Sequence, residues 1–273
     1  MQGLWIVCFF TFLIHFTESL TYSMRLAGLR TRQIAIALSF VTSTLVVSRL
    51  SNMFQAPLLG AMVDKTILLG STTGLEQLAI HFRMIILFAC LGSVIGALLT
   101  PGMCFLFGIA IKRFLNKGSI PGIALQALHP KNFMKIIRAF RLPSRQSFKG
   151  ISLTGIPKTF LCLNVLVTAI YTIGVLCSLL GGAHLPHLRS TAIQLSGIVN
   201  GMATILLTLF VDPSGARITD QAVHGVRPPE DVRSVVFFLL LGRIIGTAIL
   251  AQLFFWPFTL YIIWVAKLIG GAM

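Results

Sequence analysis

The chain has 273 residues, 56% of them hydrophobic and only 11% charged, where a soluble domain carries roughly a quarter charged residues. This excludes a single soluble fold and predicts an all-α polytopic membrane protein, one integral transport domain over residues 1–273. The net charge of +15 does not imply nucleic acid, because surplus Lys and Arg in a membrane protein marks cytoplasmic loops and the anionic lipids they meet.

The first predicted span covers 4–24. Its first seven residues lack Lys and Arg and no small-residue cleavage site follows, so it reads as a span and not as a cleaved leader. Where the run ends, His15, Glu18, Tyr22 and Arg25 recur at spacings of three, four and three, one stripe of a helix. Each charge at mid-helix in hydrocarbon costs roughly 2.5–3.5 kcal/mol, so the stripe must face a polar partner or a cavity. Two readings stay open. His15 and Glu18 form an ion pair that fixes packing, or they exchange protons beside a ligand while Arg25 grips a phosphate or pyrophosphate with two parallel N–H donors.

A short basic connection follows, in which Arg30 reads as a solvated loop residue. The second span covers 33–51, and SRLSNMFQAPLLGAMVDK (48–65) overlaps its end. Pro57 and Gly60 interrupt that stretch, which predicts a broken or re-entrant segment and then a loop to about Arg83. Ser48, Arg49, Asn52 and Gln55 recur at helical spacings and suit the lining of a cavity, although Arg49 alone also suits snorkelling to the interface.

The third span, 84–111, is about 42 Å long at 1.5 Å per residue, and tilt or a kink near Pro101 absorbs the excess. The connection 112–158 holds ten Lys or Arg and no Asp or Glu. Within it, Phe133, Ile136, Ile137 and Phe140 share one helical face, with Lys131, Lys135, Arg138 and Arg141 on the other. That pattern predicts an interfacial helix on an anionic leaflet, or alternatively a basic groove for a phosphorylated ligand.

The fourth and fifth spans cover 159–180 and 191–211, the latter ended by Asp212–Pro213. The polar segment 214–233 reads as a loop. Pro257 divides the last apolar stretch into a span over 235–256 and a short tail, with Trp256, Tyr261 and Trp264 as an interface belt. Arg243 lies nine residues past Ser234, near mid-membrane, where it needs Glu18 or a bound anion as partner.

With six spans, one side receives sixteen Lys or Arg and the other five, which places loop 112–158 in the cytoplasm and both termini outside. Asn52 and Asp64 are twelve residues apart, as are Asn200 and Asp212, a hint of two inverted three-span halves. The five cysteines fall in apolar runs without CxxC spacing and read as small buried hydrophobes. No enzyme motif, cofactor signature or metal cluster is present.

HFTESLTYSMRLAGLRT (15–31) and SRLSNMFQAPLLGAMVDK, with the later FVDP, ITD and GRIIGTAILAQLFF, resemble the Amj family of bacterial lipid II flippases, alternate to MurJ. The resemblance covers nearly the whole chain and is most specific over 15–64. It implies a non-enzymatic carrier in the bacterial cytoplasmic membrane that moves undecaprenyl-pyrophosphate-linked disaccharide-pentapeptide from inner to outer leaflet for peptidoglycan synthesis. Arg25, Arg49 and Arg243, with Asn52, Gln55 and Tyr22, are then the candidates for binding substrate, and His15 and Glu18 for proton coupling or ion pairing. An ion- or proton-coupled small-solute transporter and a membrane enzyme acting on a polyprenyl phosphate remain as alternatives.

Overall fold

Long apolar runs in this chain become long helices because hydrocarbon leaves the backbone no other way to satisfy its hydrogen bonds. The computed structural model describes residues 2–130, 132, 134, 136 and 142–271. In chain order the helices are α1 (Gln2–Thr31), α2 (Ile34–Leu69), α3 (Thr72–Lys117), α4 (Ile120–Leu128), α5 (Lys158–His184), α6 (Arg189–Leu206), α7 (Asp212–Val223), α8 (Pro229–Ile245) and α9 (Ala251–Gly271). A π-helical turn, Leu207–Val211, fuses α6 to α7, and another, Gly246–Leu250, fuses α8 to α9. Six helical rods result, each long and apolar enough to cross a membrane. This is an all-α, polytopic membrane protein. Connections 32–33 and 224–228, the C-terminus of α3 and the N-terminus of α5 lie at one end of the bundle, called the basic face below.

Several expectations are corrected. Pro57 does not break α2, which runs unbroken to Leu69 and is not re-entrant. The predicted loop to Arg83 is a turn at Gly70–Ser71. Gly70 takes the left-handed conformation (φ 59°), and Ser71 caps α3 by accepting from the Gly74 N–H at 3.0 Å. Pro101 and Pro257 likewise lie inside continuous helices. The 214–233 loop is mostly helix as well, α7 and the start of α8, joined by a tight turn. The physical reason is common to all of these. Hydropathy marks where a helix leaves hydrocarbon, not where it ends, and α3 at 46 residues spans about 69 Å against a core of ~30 Å. The tail after Pro257 continues the sixth rod. The expected interfacial helix around 131–141 lies mostly outside the described residues.

Two motifs of small residues set the packing. Gly92 and Gly96, four apart on α3, meet α1; a Cβ on Gly96 would stand 2.6 Å from the Ser19 Cβ, and one on Gly92 would collide with the Phe12 carbonyl oxygen. Gly242 and Gly246, four apart across the α8 bulge, meet α5; a Cβ on Gly246 would stand 2.7 Å from the Val165 carbonyl oxygen. In a bilayer, where burial from water does not drive helix pairing, this close backbone approach supplies the dispersion energy. Each half of the chain therefore packs its third rod onto its first through one GxxxG.

The core differs between the two ends. Away from the basic face a single apolar cluster joins α1, α2, α3, α5, α6 and α9, with Phe82, Ile86, Leu180 and Phe255 fully buried in it. Toward the basic face the core divides. Met24, Phe40, Cys104 and Ile111 join α1, α2 and α3, while Phe160, Ile218, Val232 and Leu239 join α5, α7 and α8. Trp5, Trp256, Tyr261 and Trp264 are exposed around the end away from the basic face, as an aromatic belt requires. Cys8, Cys104 and Cys177 are buried as expected, Cys90 is half-buried, and Cys162 is exposed on α5.

Candidate functional site

The α1 stripe faces the interior between the two halves. Glu18 accepts hydrogen bonds from Ser48 Oγ of α2 at 3.0 Å and from the Arg243 guanidinium of α8. The same guanidinium donates to His15 Nδ1 at 3.2 Å, so this imidazole is the acceptor. Tyr22 stands one turn further along α1, against Arg243. His15 and Arg243 are only 4% and 9% exposed. Arg243 thus has the partner that its depth demands, and the next helical turn is the π-bulge at Gly246–Leu250. Its Nε has no hydrogen-bond partner among the described residues.

The α2 polar group splits into two faces. Ser48, Ser51 and Gln55 are buried toward the bundle, while Arg49 and Asn52 are exposed. Adjacent residues on a helix point about 100° apart, so Arg49 cannot follow Ser48 inward. The structure does not bring Arg49 or Asn52 to Arg243. Arg49 instead lies within electrostatic reach of Tyr171 on α5, as do Glu18 and Arg243.

Arg25 does not join the central cluster either. It pairs with Asp212 at 3.1 Å, and Gly215 leaves the room its guanidinium occupies. At the other end of the bundle, Asp64 of α2 pairs with Arg189 at the start of α6. The Asp64 and Asp212 that recur in the sequence therefore each bind an arginine from the opposite half of the chain. Among the described residues three ion pairs cross between the halves at three depths, with Glu18–Arg243 in the middle and buried.

The split in the core holds a cavity of about 850 Å³ between α1, α3 and α8. Arg30, Arg32 and Arg233 line its mouth at the basic face, and Val94, Pro101, Phe237 and Leu240 line its depth. Leu98, Phe105 and Leu241 also line it and are exposed on the outside of the bundle, so the cavity opens sideways between α3 and α8. Arg233 to Ile244, its deepest α8 residue, is eleven residues, about 16 Å of helix, roughly half of a ~30 Å hydrocarbon core. It ends at the level of Arg243, which does not itself line it. The later part of the basic loop, 143–152, lies at the mouth, pinned to α8 by an edge-to-face contact of Phe148 on Phe237 and by a 3.1 Å hydrogen bond from the Ser152 N–H to Ser234. Sequence reasoning set Arg30 aside and missed Arg32 and Arg233. Among the described residues no group of His, Cys, Asp and Glu is arranged to hold a metal ion.

Comparison with known proteins bears on this arrangement. No solved structure gives a significant match. The lipid II flippase Amj of Bacillus subtilis (strain 168) is 37% identical over 270 residues, covering 97% of each chain. The family described as "Amj: Alternate to MurJ" matches residues 10–266. The chain belongs to the Amj family, and is a multi-pass membrane protein of that family.

Proposed function

We propose that this protein is a lipid II flippase, a carrier and not an enzyme, that passes the polar head of the lipid-linked peptidoglycan precursor across the cytoplasmic membrane by alternating access. The observation that carries the reading is the one-sided division of the core. The bundle is sealed by continuous apolar packing at one end and parted around a laterally open cavity at the other. A lipid carrier needs that geometry, because the head must enter protein while the tail stays in hydrocarbon. The side opening weighs against a carrier for small hydrophilic solutes, which needs none.

By the positive-inside rule the basic face is cytoplasmic and both termini lie outside, so the cavity faces the side where the precursor is made. The basic loop rests on anionic lipid there. In this reading Arg243, with Tyr22 and Gln55, receives the pyrophosphate at mid-membrane, and the unpaired Arg243 Nε is the donor held ready for it. Glu18 and His15 hold Arg243 until then. A proton on His15 removes the acceptor and sets two cations side by side, which frees the guanidinium to exchange partners. Arg25–Asp212 and Asp64–Arg189 are the contacts that break in turn as each face opens. Arg49 and Asn52, exposed at the depth of Glu18, meet the head outside the bundle core. The test is depletion of the resident lipid II flippase in a bacterium supplied with this chain. Restored outer-leaflet lipid II supports the reading, and its loss despite membrane expression defeats it.

A further inference from the structure

We propose that Arg30, Arg32 and Arg233 form an entry site for the pyrophosphate of a polyprenyl-linked lipid, with the first isoprene units lying in the apolar slot of Pro101, Phe105, Phe237 and Leu241. The site deepens the flippase reading and rests on it, but its chemistry is separable. It recognises the pyrophosphate and its tail, whatever sugar the pyrophosphate carries.

Charge is the first argument. Three arginines line one mouth, and among the described residues no acidic one lines the cavity. Arg30 and Arg233 come from helices some 200 residues apart in sequence, yet both lie within electrostatic reach of Cys104 on α3. None of the three arginines is in an ion pair among the described residues: Glu230, three residues before Arg233 on α8, forms none with it, and Asp231 accepts from Arg227 at 3.2 Å. Three unpaired cations at one mouth repel one another, and an anion with several oxygens relieves that repulsion. A pyrophosphate diester supplies that, and guanidinium binds it with two parallel N–H donors.

Backbone conformation is the second. Arg32 ends α1 in the left-handed region (φ 55°), the one described residue other than glycine with positive φ. The Gln33 N–H reaches the Gly28 carbonyl at 3.0 Å and the Arg32 N–H reaches Leu29 at 3.3 Å, the helix-ending turn in which glycine is the usual occupant of this position. An arginine there is strained where glycine is free, and what it adds is a cation at the cavity mouth. Shape is the third. At about 850 Å³ the cavity is within the range of pockets that enclose a small ligand, and its side opening lets the rest of a long tail run out between α3 and α8 into lipid.

The experiment uses the full chain in phosphatidylcholine nanodiscs, with geranylgeranyl pyrophosphate as probe and calorimetry as readout. Arg30→Gln and Arg233→Gln should each weaken binding about tenfold or more, the expected effect of losing a charge-assisted pair. Arg32→Gly should weaken binding while the unfolding temperature holds or rises, a combination that a merely structural arginine would not give. Geranylgeraniol binding as tightly as the pyrophosphate, or wild-type affinity in all three variants, overturns the proposal. So does displacement of the probe by phosphatidylglycerol at bilayer abundance, which makes this an anionic-lipid site only. Normal lipid II transport by the triple Arg30→Gln, Arg32→Gln, Arg233→Gln variant also overturns it. Arginine-dependent binding by a chain that fails to restore outer-leaflet lipid II upholds the entry site and removes the flippase reading alone.

Discussion

The two ends of the bundle are built differently from similar residues. Away from the basic face, six helices share one core; toward it, each half keeps its own small core and a cavity parts them. The GxxxG contacts explain part of this. Each fastens the third rod to the first within its own half, and α3 and α8 touch each other only sparsely. At the basic face the halves are joined by Arg25–Asp212, an ion pair with a half-exposed aspartate worth up to about 1 kcal/mol, and by Tyr22, Leu26 and Leu29 of α1 packed against the second half's core. At the sealed end, truncating a single buried aromatic side chain costs about 3–5 kcal/mol. Rearrangement is therefore cheaper at the basic face, where the cavity lies, than at the sealed end.

The largest expected effect tests the layer between the two ends. Arg243→Ala strands Glu18 as a buried charge and should cost about 3–5 kcal/mol in thermal unfolding, together with all transport activity. The double variant Glu18→Gln with Arg243→Gln should recover much of the stability and none of the transport; recovery of both would make the pair purely structural. Next in size, Phe255→Ala at the sealed end should lose about 3–5 kcal/mol. Phe105→Ala on the exposed wall of the cavity should lose under about 1 kcal/mol. Equal losses would erase the contrast between the ends.

Ion pairs at the two faces come next. Asp212→Asn and Asp64→Asn should each shift stability by about 1 kcal/mol or less, both being partly exposed. Their effects on transport should differ in kind. Losing the Asp212 contact should favour the state open to the basic face and losing Asp64 the opposite state, read by labelling at a cysteine in place of Leu240. The smallest effect is accessibility itself. In a chain without its native cysteines, that Leu240→Cys site should react with a permeant thiol reagent and Leu180→Cys, fully buried in the continuous core, should not.

Much of the site was legible along the chain, because spacing on a helix is a local property. His15, Glu18 and Tyr22 share a face, and the depth of Arg243 required a partner of Glu18's kind. Of the two readings of Arg49, lining a cavity or reaching to the interface, helical spacing does not choose; Ser48 and Arg49 are neighbours in sequence and face different ways, Arg49 outward. Arg30 and Arg233 could not be joined by inspection, because their meeting depends on how α1, α3 and α8 are rotated and splayed. Two signals were there to read: the GxxxG pairs at Gly92–Gly96 and Gly242–Gly246, and an arginine where α1 stops without a glycine.

Composition and helical period alone set the class, the number of rods and the expensive polar stripe, because they fix the cost of polar groups in hydrocarbon. Where helices end, which arginines gather at one mouth, and which end of the bundle is sealed were decided only by tertiary structure. Those features depend on how closely two backbones can approach, which the missing Cβ atoms of Gly92 and Gly96 set for α1 and α3 and those of Gly242 and Gly246 set for α5 and α8.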